Sequence, residues 1–532
     1  MFKKLIANIL VMVLTCGAVI GGTEWAIGKF YGHKIRTYFE DQTVKALGDP
    51  VPPKASNEYR IFIFGGSTAY GFPLSDRYSI TAWVGKMFPY LLPQKKVRMV
   101  NTAWPGKGSH YSMEGALNVL KYKPDLYVIY DGYNDVPIAN RLYLDNGLYW
   151  LNLRLKFRSA AYRWLSNRLN RARKHIVYGS SGHAEKHYRD EVIANLVYKT
   201  SEITDEYYGR ILKRFQQNVE TIIAHAKRNG VDVLLVNLPA NVQSIPPSLS
   251  VHSNGLTEAQ ISEWNLHYEE GVRLAKEGDH RLAIEAYKRA AAVDSKYAEL
   301  QYKMGISYEN AADYASAKAS YNLARDLDAL PYRAKSSMNQ LIREMAEKHG
   351  LLFVDLVAAF ERESPHGIVG NELIYDNVHP SEIAQLLIAE EIAKALSRND
   401  KIAPGKDWQW QTLEGVRKNY EQSGEWQIDK SVESHHLILR AIHLWELGRY
   451  SEVIEGLEQG IQLKPDFIEL YGFLGDAYWH LGEKEKALKA FHAFAEKDPR
   501  LFGTTLEKYP DIQQSYNQSK QSLASFGKAA AL

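Results

Sequence analysis

Residues in four loops that lie far apart in the chain could together carry out acyl transfer. Ser67 follows the apolar run Ile61–Phe62–Ile63–Phe64 and the pair Gly65–Gly66. A serine hydroxyl is a weak nucleophile until a base takes its proton. His379 is the candidate base, because an imidazole ordinarily titrates near neutrality. Asp376, three residues earlier, is close enough in the chain to hydrogen-bond the ring and fix its tautomer. The oxyanion of a tetrahedral intermediate also needs donors. The backbone N–H groups of Ser67 and Gly106 and the side-chain amide of Asn134 are the candidates. Taken singly, each has an ordinary alternative: a solvated serine in a glycine-rich turn, a surface histidine before proline, an asparagine in a turn. Their joint placement at successive strand-end loops is what points to chemistry.

The elements that would position these residues follow from the apolar runs. Residues 61–64, 97–100, 126–130, 231–238 and 351–354 read as buried strands. Helical patterns lie between them, over 111–121, 204–228 and 336–348. Each strand enters a polar, mostly glycine-containing loop, which is the pattern of a parallel α/β sheet with its site on one edge. Ser67 then sits at the carboxyl end of a strand and the start of a helix. Helix N-terminal N–H groups favour developing negative charge there.

The four loops resemble the sequence blocks of the SGNH (GDSL-like) hydrolase superfamily. The matching stretches are Gly65–Gly66–Ser67–Thr68, Asn101 to Gly106, Gly132–Tyr133–Asn134–Asp135 and Asp376–Asn377–Val378–His379–Pro380. The resemblance covers about 57–250 and 336–398. It implies a three-layer α/β/α, flavodoxin-like fold and ester hydrolysis through a covalent acyl-serine. It implies Ser67 as nucleophile, His379 as base, Asp376 as the group orienting His379, and Ser67, Gly106 and Asn134 as the oxyanion hole. Gly66 stands where the superfamily more often has Asp, and Ala384 where a Gly often follows the His-Pro pair. The Gly-Gly-Ser form also resembles exported members that act on acetylated surface glycans, some of them acetyltransferases. No metal cluster or phosphate-cradling loop is evident in the sequence, so the chemistry calls for no cofactor.

At 532 residues the chain is long enough for several units, and a net charge of +3 gives no sign of a nucleic-acid partner. The single cysteine, Cys16, excludes an internal disulfide. Lys3 and Lys4 precede an apolar run of 18 residues, Leu5 to Gly22, without a clear cleavage site. Residues 1–28 are therefore expected to be an N-terminal transmembrane helix, an uncleaved anchor or signal segment with the body outside the cytoplasm. Residues 29–56 read as a linker ending in Asp49–Pro50–Val51–Pro52–Pro53, and 57–258 as the first part of the hydrolase domain. Within it, 141–200 reads as a basic helical insertion. Nine cations between Arg141 and Lys174 face one acid, Asp145, and leucines are interleaved with them. That pattern suits a solvated helical face, an anionic membrane or an acidic polymer.

A different period appears after 259. Gly271, Ala283, Tyr287 and Ala290 recur 34 residues later as Gly305, Ala317, Tyr321 and Ala324. This resembles tetratricopeptide repeats. Residues 259–335 are thus expected to be inserted repeats, with the hydrolase domain resuming over 336–400. A Trp-rich linker spans 401–430, further repeats span 431–512, and a loose tail spans 513–532. In the C-terminal repeats, Leu474, Gly475, Tyr478, Ala487, Phe491 and Pro499 fit the same period. Such helical hairpins offer surfaces to a protein partner. Three readings follow: an anchored esterase acting on an acylated envelope carbohydrate or lipid, an O-acetyltransferase on a surface glycan, or a scaffold on a hydrolase body that has lost activity.

Overall fold

The structure is a computed structural model. It describes residues 36–72, 74, 78–136, 147–178, 202–399, 401–402, 449–463, 465 and 468–497, with isolated positions between 415 and 444 and at 514. The expected anchor over 1–28 lies outside these residues, as do most of 401–430 and of the tail. Among the described residues no helix is long and apolar enough to cross a membrane.

In chain order the elements begin with α1 (Tyr38–Leu47), β1 (Glu58–Gly65), α2 (Ser67–Tyr70), α3 (Ile80–Leu91), β2 (Lys96–Asn101), α4 (Ser109–Val119) and β3 (Leu126–Tyr130). There follow α5 (Gly147–Arg158), α6 (Ala160–Tyr178), α7 (Asp205–Arg228) and β4 (Asp232–Val236). Four further helices come next: α8 (Glu258–Lys276), α9 (His280–Val293), α10 (Ala298–Asn310) and α11 (Tyr314–Leu327). The α/β pattern resumes with α12 (Ser336–His349), β5 (Leu352–Val354), α13 (Leu356–Glu363) and α14 (Glu382–Leu396). Last come α15 (Tyr450–Leu463), α16 (Glu469–His480) and α17 (Lys484–Lys497).

The five strands form one sheet in the order β2-β1-β3-β4-β5, and every pairing is parallel. That is the flavodoxin-like order. Helices α3 and α14 pack together over one face, and α1, α4, α7 and α12 cover the other. A parallel strand covered on both faces has no solvent side, so the central strands read as unbroken apolar runs rather than alternating ones. Ile61, Phe62, Ile63 and Phe64 are accordingly buried, with Trp83 and Phe88 of α3 and Phe215 of α7.

The linker expected over 29–56 needs correction. Residues 38–47 within it form α1, capped by Thr37, whose hydroxyl accepts from the Glu40 N–H while the Glu40 carboxylate accepts from the Thr37 N–H. Phe39 then enters the core beneath α4. A reciprocal cap and one large buried ring are enough to fix ten residues that composition alone reads as irregular.

The 34-residue period has a steric basis. A Cβ at Gly271 would come within 2.4 Å of the Tyr287 ring, and one at Gly305 within 2.7 Å of Tyr321. The glycine of one helix admits the tyrosine of the next, and α8 packs on α9 as α10 does on α11. Gly475 stands in the same relation to Phe491 between α16 and α17. The four inserted helices are joined to the sheet domain by buried charge. Arg333 donates to the carbonyl oxygens of Asn241, Ile245 and Pro246 and lies 3.6 Å from Asp328. Asp328 in turn accepts from the N–H groups of Ser248, Leu249 and Leu330.

Arg333→Met should lower the unfolding free energy by about 3–5 kcal/mol, because it leaves a buried carboxylate without its cation. Urea denaturation followed by circular dichroism measures this. An unchanged midpoint would show that the junction does not depend on the pair.

Candidate active site

Ser67 is brought to its position by two close approaches of backbone. A Cβ at Gly65 would lie 2.0 Å from the Tyr130 carbonyl oxygen of β3, so only glycine fits where β1 ends. A Cβ at Gly66 would lie 2.1 Å from the Asn134 amide nitrogen. Gly66 therefore leaves room for one of the proposed oxyanion donors beside the nucleophile. Ser67 is the first residue of α2, where backbone N–H groups have no partner within the helix.

The other members come from loops at the same sheet edge. Asn134 lies in the short helical turn Tyr133–Asp135 after β3, and Gly106 in the loop after β2. Asp376 and His379 lie between α13 and α14. The structure brings Ser67, His379 and Asp376 into one hydrogen-bonded line. His379 Nε2 lies 2.8 Å from Ser67 Oγ, and His379 Nδ1 lies 2.6 Å from Asp376 Oδ2. The other carboxylate oxygen, Oδ1, accepts the Val378 and His379 N–H groups at 2.8 Å each. Burial alone would raise the Asp376 pKa. The adjacent His379 charge and these hydrogen bonds outweigh it and hold the carboxyl at about 2. Asp376 therefore stays ionised across the physiological range, which keeps the Nδ1 proton on His379 and leaves Nε2 to accept from Ser67. The Phe72 ring stands edge-on to the His379 ring, with centroids 5.2 Å apart.

The donors are held by ties between neighbouring loops. Asn134 Nδ2 donates to the Lys107 carbonyl oxygen at 3.0 Å, which fixes the amide plane and leaves its second hydrogen uncommitted to that bond. Asp135 accepts from both the backbone N–H and the hydroxyl of Ser109, at the start of α4. Asn218 of α7 donates to the same Ser109 hydroxyl. Asp131 accepts from the Gly132 N–H and the Ser112 hydroxyl. Burial raises Asp135 to about 6 despite its bonds to Ser109, and raises Asp131 further, with the Asp135 charge adding to it. The β2 loop is braced from outside by α1. The Tyr38 ring stacks on Trp104 with centroids 4.2 Å apart, and its hydroxyl donates to the Ala103 carbonyl oxygen.

All five sequence-predicted residues thus belong to loops at one edge of the sheet, and three of them are joined by direct hydrogen bonds. The supporting residues Asp135, Ser109 and Tyr38 had no role in the sequence reading. Asp135 had a visible signal, since it follows Asn134 directly. Tyr38 had only the Thr37–Glu40 capping pattern of the helix that carries it.

Residues 468–495 match the family model of the tetratricopeptide repeat. No curated protein matches the chain. Among solved structures, the chain is similar to the acetylxylan esterase Axe2 from Geobacillus stearothermophilus, at 13% identity over 64% of this chain and 94% of that one, with a TM-score of 0.29. It is also similar to a protein from Bacteroides fragilis assigned as an acylhydrolase, at 13% identity over 68% and 98%, with a TM-score of 0.30. A third is a protein from Desulfitobacterium hafniense assigned to the lipolytic G-D-S-L family, at 11% identity over 63% and 99%, with a TM-score of 0.28. At those scores the likeness carries no argument about chemistry, which the hydrogen bonds among the chain's own side chains carry instead.

Two outcomes are expected at this site. Gly66→Ala should displace the Asn134 amide and lower kcat by about 10²–10³, the usual loss of one oxyanion donor. The serine should still react with a fluorophosphonate; loss of labelling together with turnover would mean that the site has collapsed. Asp376→Asn should remove a stabilising carboxylate. A group held at about 2 when folded, against an ordinary value of 3.8, stabilises the native state fully above about pH 4 and ceases to do so as pH falls through about 2. Wild type should therefore exceed the variant by about 2 kcal/mol at pH 6, with the difference closing below pH 4. Denaturant titrations across that range measure it, and a difference that does not change with pH would rule the linkage out.

Proposed function

We propose that this chain is a serine esterase that cleaves acyl esters through an acyl-serine intermediate. The observation that carries the proposal is the continuous line from Ser67 Oγ through the His379 ring to Asp376, with contacts of 2.8 and 2.6 Å. In the reaction, the Ser67 proton passes to His379 Nε2 as Oγ bonds to the ester carbonyl carbon. The resulting imidazolium is stabilised by Asp376. The carbonyl oxygen becomes an oxyanion, and the N–H groups of Ser67 and Gly106 and the Asn134 amide are the donors proposed for it. Collapse breaks the bond to the leaving alkoxide, which takes the proton from His379. Water then gives a proton to His379 and its oxygen to the acyl carbon, and the second collapse returns the proton to Ser67 and releases the acid.

Further parts of the reading rest on sequence. The substrate class is an acetyl or other acyl ester of an envelope carbohydrate or lipid; acetylated glycans are supported by the Gly65–Gly66–Ser67 form of the first motif. Residues 1–28 anchor the chain in a membrane with the body outside the cytoplasm, supported by the apolar run after Lys3 and Lys4. The repeat-like hairpins bind a protein partner, supported by the match over 468–495.

A fluorophosphonate should add one adduct to the intact mass of the wild-type chain and none to Ser67→Ala, and a chromogenic acetyl ester should be turned over by the wild type alone. Adding an acceptor glycan and analysing products separates hydrolysis from transfer. Equal turnover by the wild type and Ser67→Ala would sink the acyl-serine mechanism.

A further inference from the structure

The basic helices between β3 and α7 play no part in the chemistry above. Residues 147–178 contain eight Lys and Arg and no Asp or Glu. Helices α5 and α6 pack against each other, joined at Ser159. Arg163 closes the hairpin by donating to the Lys156 and Phe157 carbonyl oxygens, and the Tyr162 hydroxyl bonds to Asn152.

Each helix exposes a face of one kind. On α5, Leu151, Arg154, Leu155 and Arg158 are exposed, at the spacing i, i+3, i+4, i+7 of one helix face. On α6, Leu165, Arg168 and Leu169 repeat the i, i+3, i+4 pattern. Leu151, Leu165 and Leu169 are 54%, 49% and 61% exposed, whereas the leucines of the sheet domain core are almost fully covered. Arginines flanking exposed leucines suit an interface in which the leucines enter the acyl boundary and the guanidinium groups reach phosphates.

We propose that the α5–α6 hairpin lies on an anionic lipid surface, with Leu151, Leu155, Leu165 and Leu169 at the acyl boundary and Arg154 and Arg168 on headgroup phosphates, while Arg158 lies 4.0 Å from the buried Glu114 carboxylate of α4. This deepens the anchored reading given above and is tested apart from it. Three observations select lipid. An acidic polymer would be gripped by cations alone, and four leucines exposed by more than a third would contribute nothing to it. The absence of any acid over 147–178 gives the hairpin a charge complementary to anionic headgroups. The hairpin also sits where a membrane would be within reach. Phe157 at the end of α5 packs on Phe39 of α1, with ring centroids 5.5 Å apart. Only 17 residues separate Phe39 from Gly22, the end of the apolar run. Even fully extended, that length spans no more than about 60 Å.

The test uses the full chain with Cys16→Ser, which leaves it without a thiol. An environment-sensitive nitrobenzoxadiazole label is placed at Leu151→Cys or Leu165→Cys, with Leu282→Cys on α9 as an exposed control. The chains are reconstituted in nanodiscs of phosphatidylcholine with or without phosphatidylglycerol. The expected result is a blue shift at 151 and 165 but not at 282, in phosphatidylglycerol discs, lost on adding Arg154→Glu with Arg168→Glu. Thermal melts of each variant report that the fold is kept. Identical emission in both discs overturns the proposal. So does a shift produced by soluble polyuronate but not by phosphatidylglycerol, which would make the hairpin a polymer clamp. Recovery of the chain with either disc reads the anchor separately. A chain that stays out of the discs loses the anchor, and the same labels are then read against added phosphatidylglycerol vesicles, where no shift overturns the hairpin proposal.

Discussion

The hydrogen bond between His379 and Ser67 joins residues 312 positions apart, and the rest of the structure is arranged so that it forms. Ser67 is fixed by the end of β1, and His379 by the loop that leads into α14. The two meet only because all five strands run in parallel and place their carboxyl ends on one edge. In the order β2-β1-β3-β4-β5, β1 has a strand from each direction of winding beside it. The loops after β2 and β3 therefore open on opposite sides of Ser67, the switch-point geometry at which open α/β sheets hold ligands. One brings Gly106 and the other Asn134.

The same constraint explains where the chain tolerates extra helices. A crossover between parallel strands must already be long, and lengthening it adds little closure entropy. The four helices α8 to α11 occupy the crossover from β4 to β5. Their effect on the site depends on how the chain leaves and rejoins the sheet. Arg333 and Asp328 hold the two ends of the insertion together. Asn339 of α12 exchanges hydrogen bonds with both the N–H and the carbonyl of Leu238, just beyond β4. Through these contacts α12 and β5 begin in fixed positions. The loop carrying Asp376 and His379 is tied to the segment after β4, where Asn241 donates to the carbonyl oxygens of Ile374 and Asn377. The inserted helices reach both stretches, as Tyr302 of α10 donates to the Gln243 carbonyl oxygen and Tyr314 of α11 stacks on His366.

Much of this was legible in the sequence for physical reasons. Strands buried on both faces must be apolar throughout, so the runs at 61–64, 97–100, 126–130, 231–238 and 351–354 mark five strands whose observed limits differ by a few residues. Asp376 and His379 are three residues apart, so their contact is local and readable. The contact of His379 with Ser67 became readable only through the shared sheet edge. The support was less visible. Asp135 bonds to Ser109 across two loops, and nothing in the spacing of those residues specifies that tie. Tyr38 reaches Trp104 from a helix inside a stretch of mixed composition. The Thr37–Glu40 cap was the only local sign of that helix, and a capping pair gains meaning only with a buried ring behind it.

The aromatic residues on this side of the molecule link the hairpin to the loop after β2. Tyr38, Phe39, Trp104, Tyr111 and Phe157 form one connected set, from the α5 end of the hairpin to the loop that carries Gly106. Each such ring pair contributes about 0.5–1.5 kcal/mol beyond its burial. A surface that moved the hairpin would perturb the Gly106 loop only by its differential affinity for two arrangements of the rings. The Ser67–His379–Asp376 contacts lie outside this set: Asp376 is held by the N–H groups of its own loop, and that loop by Asn241. Among the described residues, the line from Ser67 to Asp376 is thus separate from these rings, while the Gly106 loop shares a wall with the hairpin. A lipid contact of the kind proposed would act on the Gly106 loop through these rings, and on the Asn134 loop through α4, where Glu114 lies 4.0 Å from Arg158 of the hairpin and Ser109 bonds to Asp135.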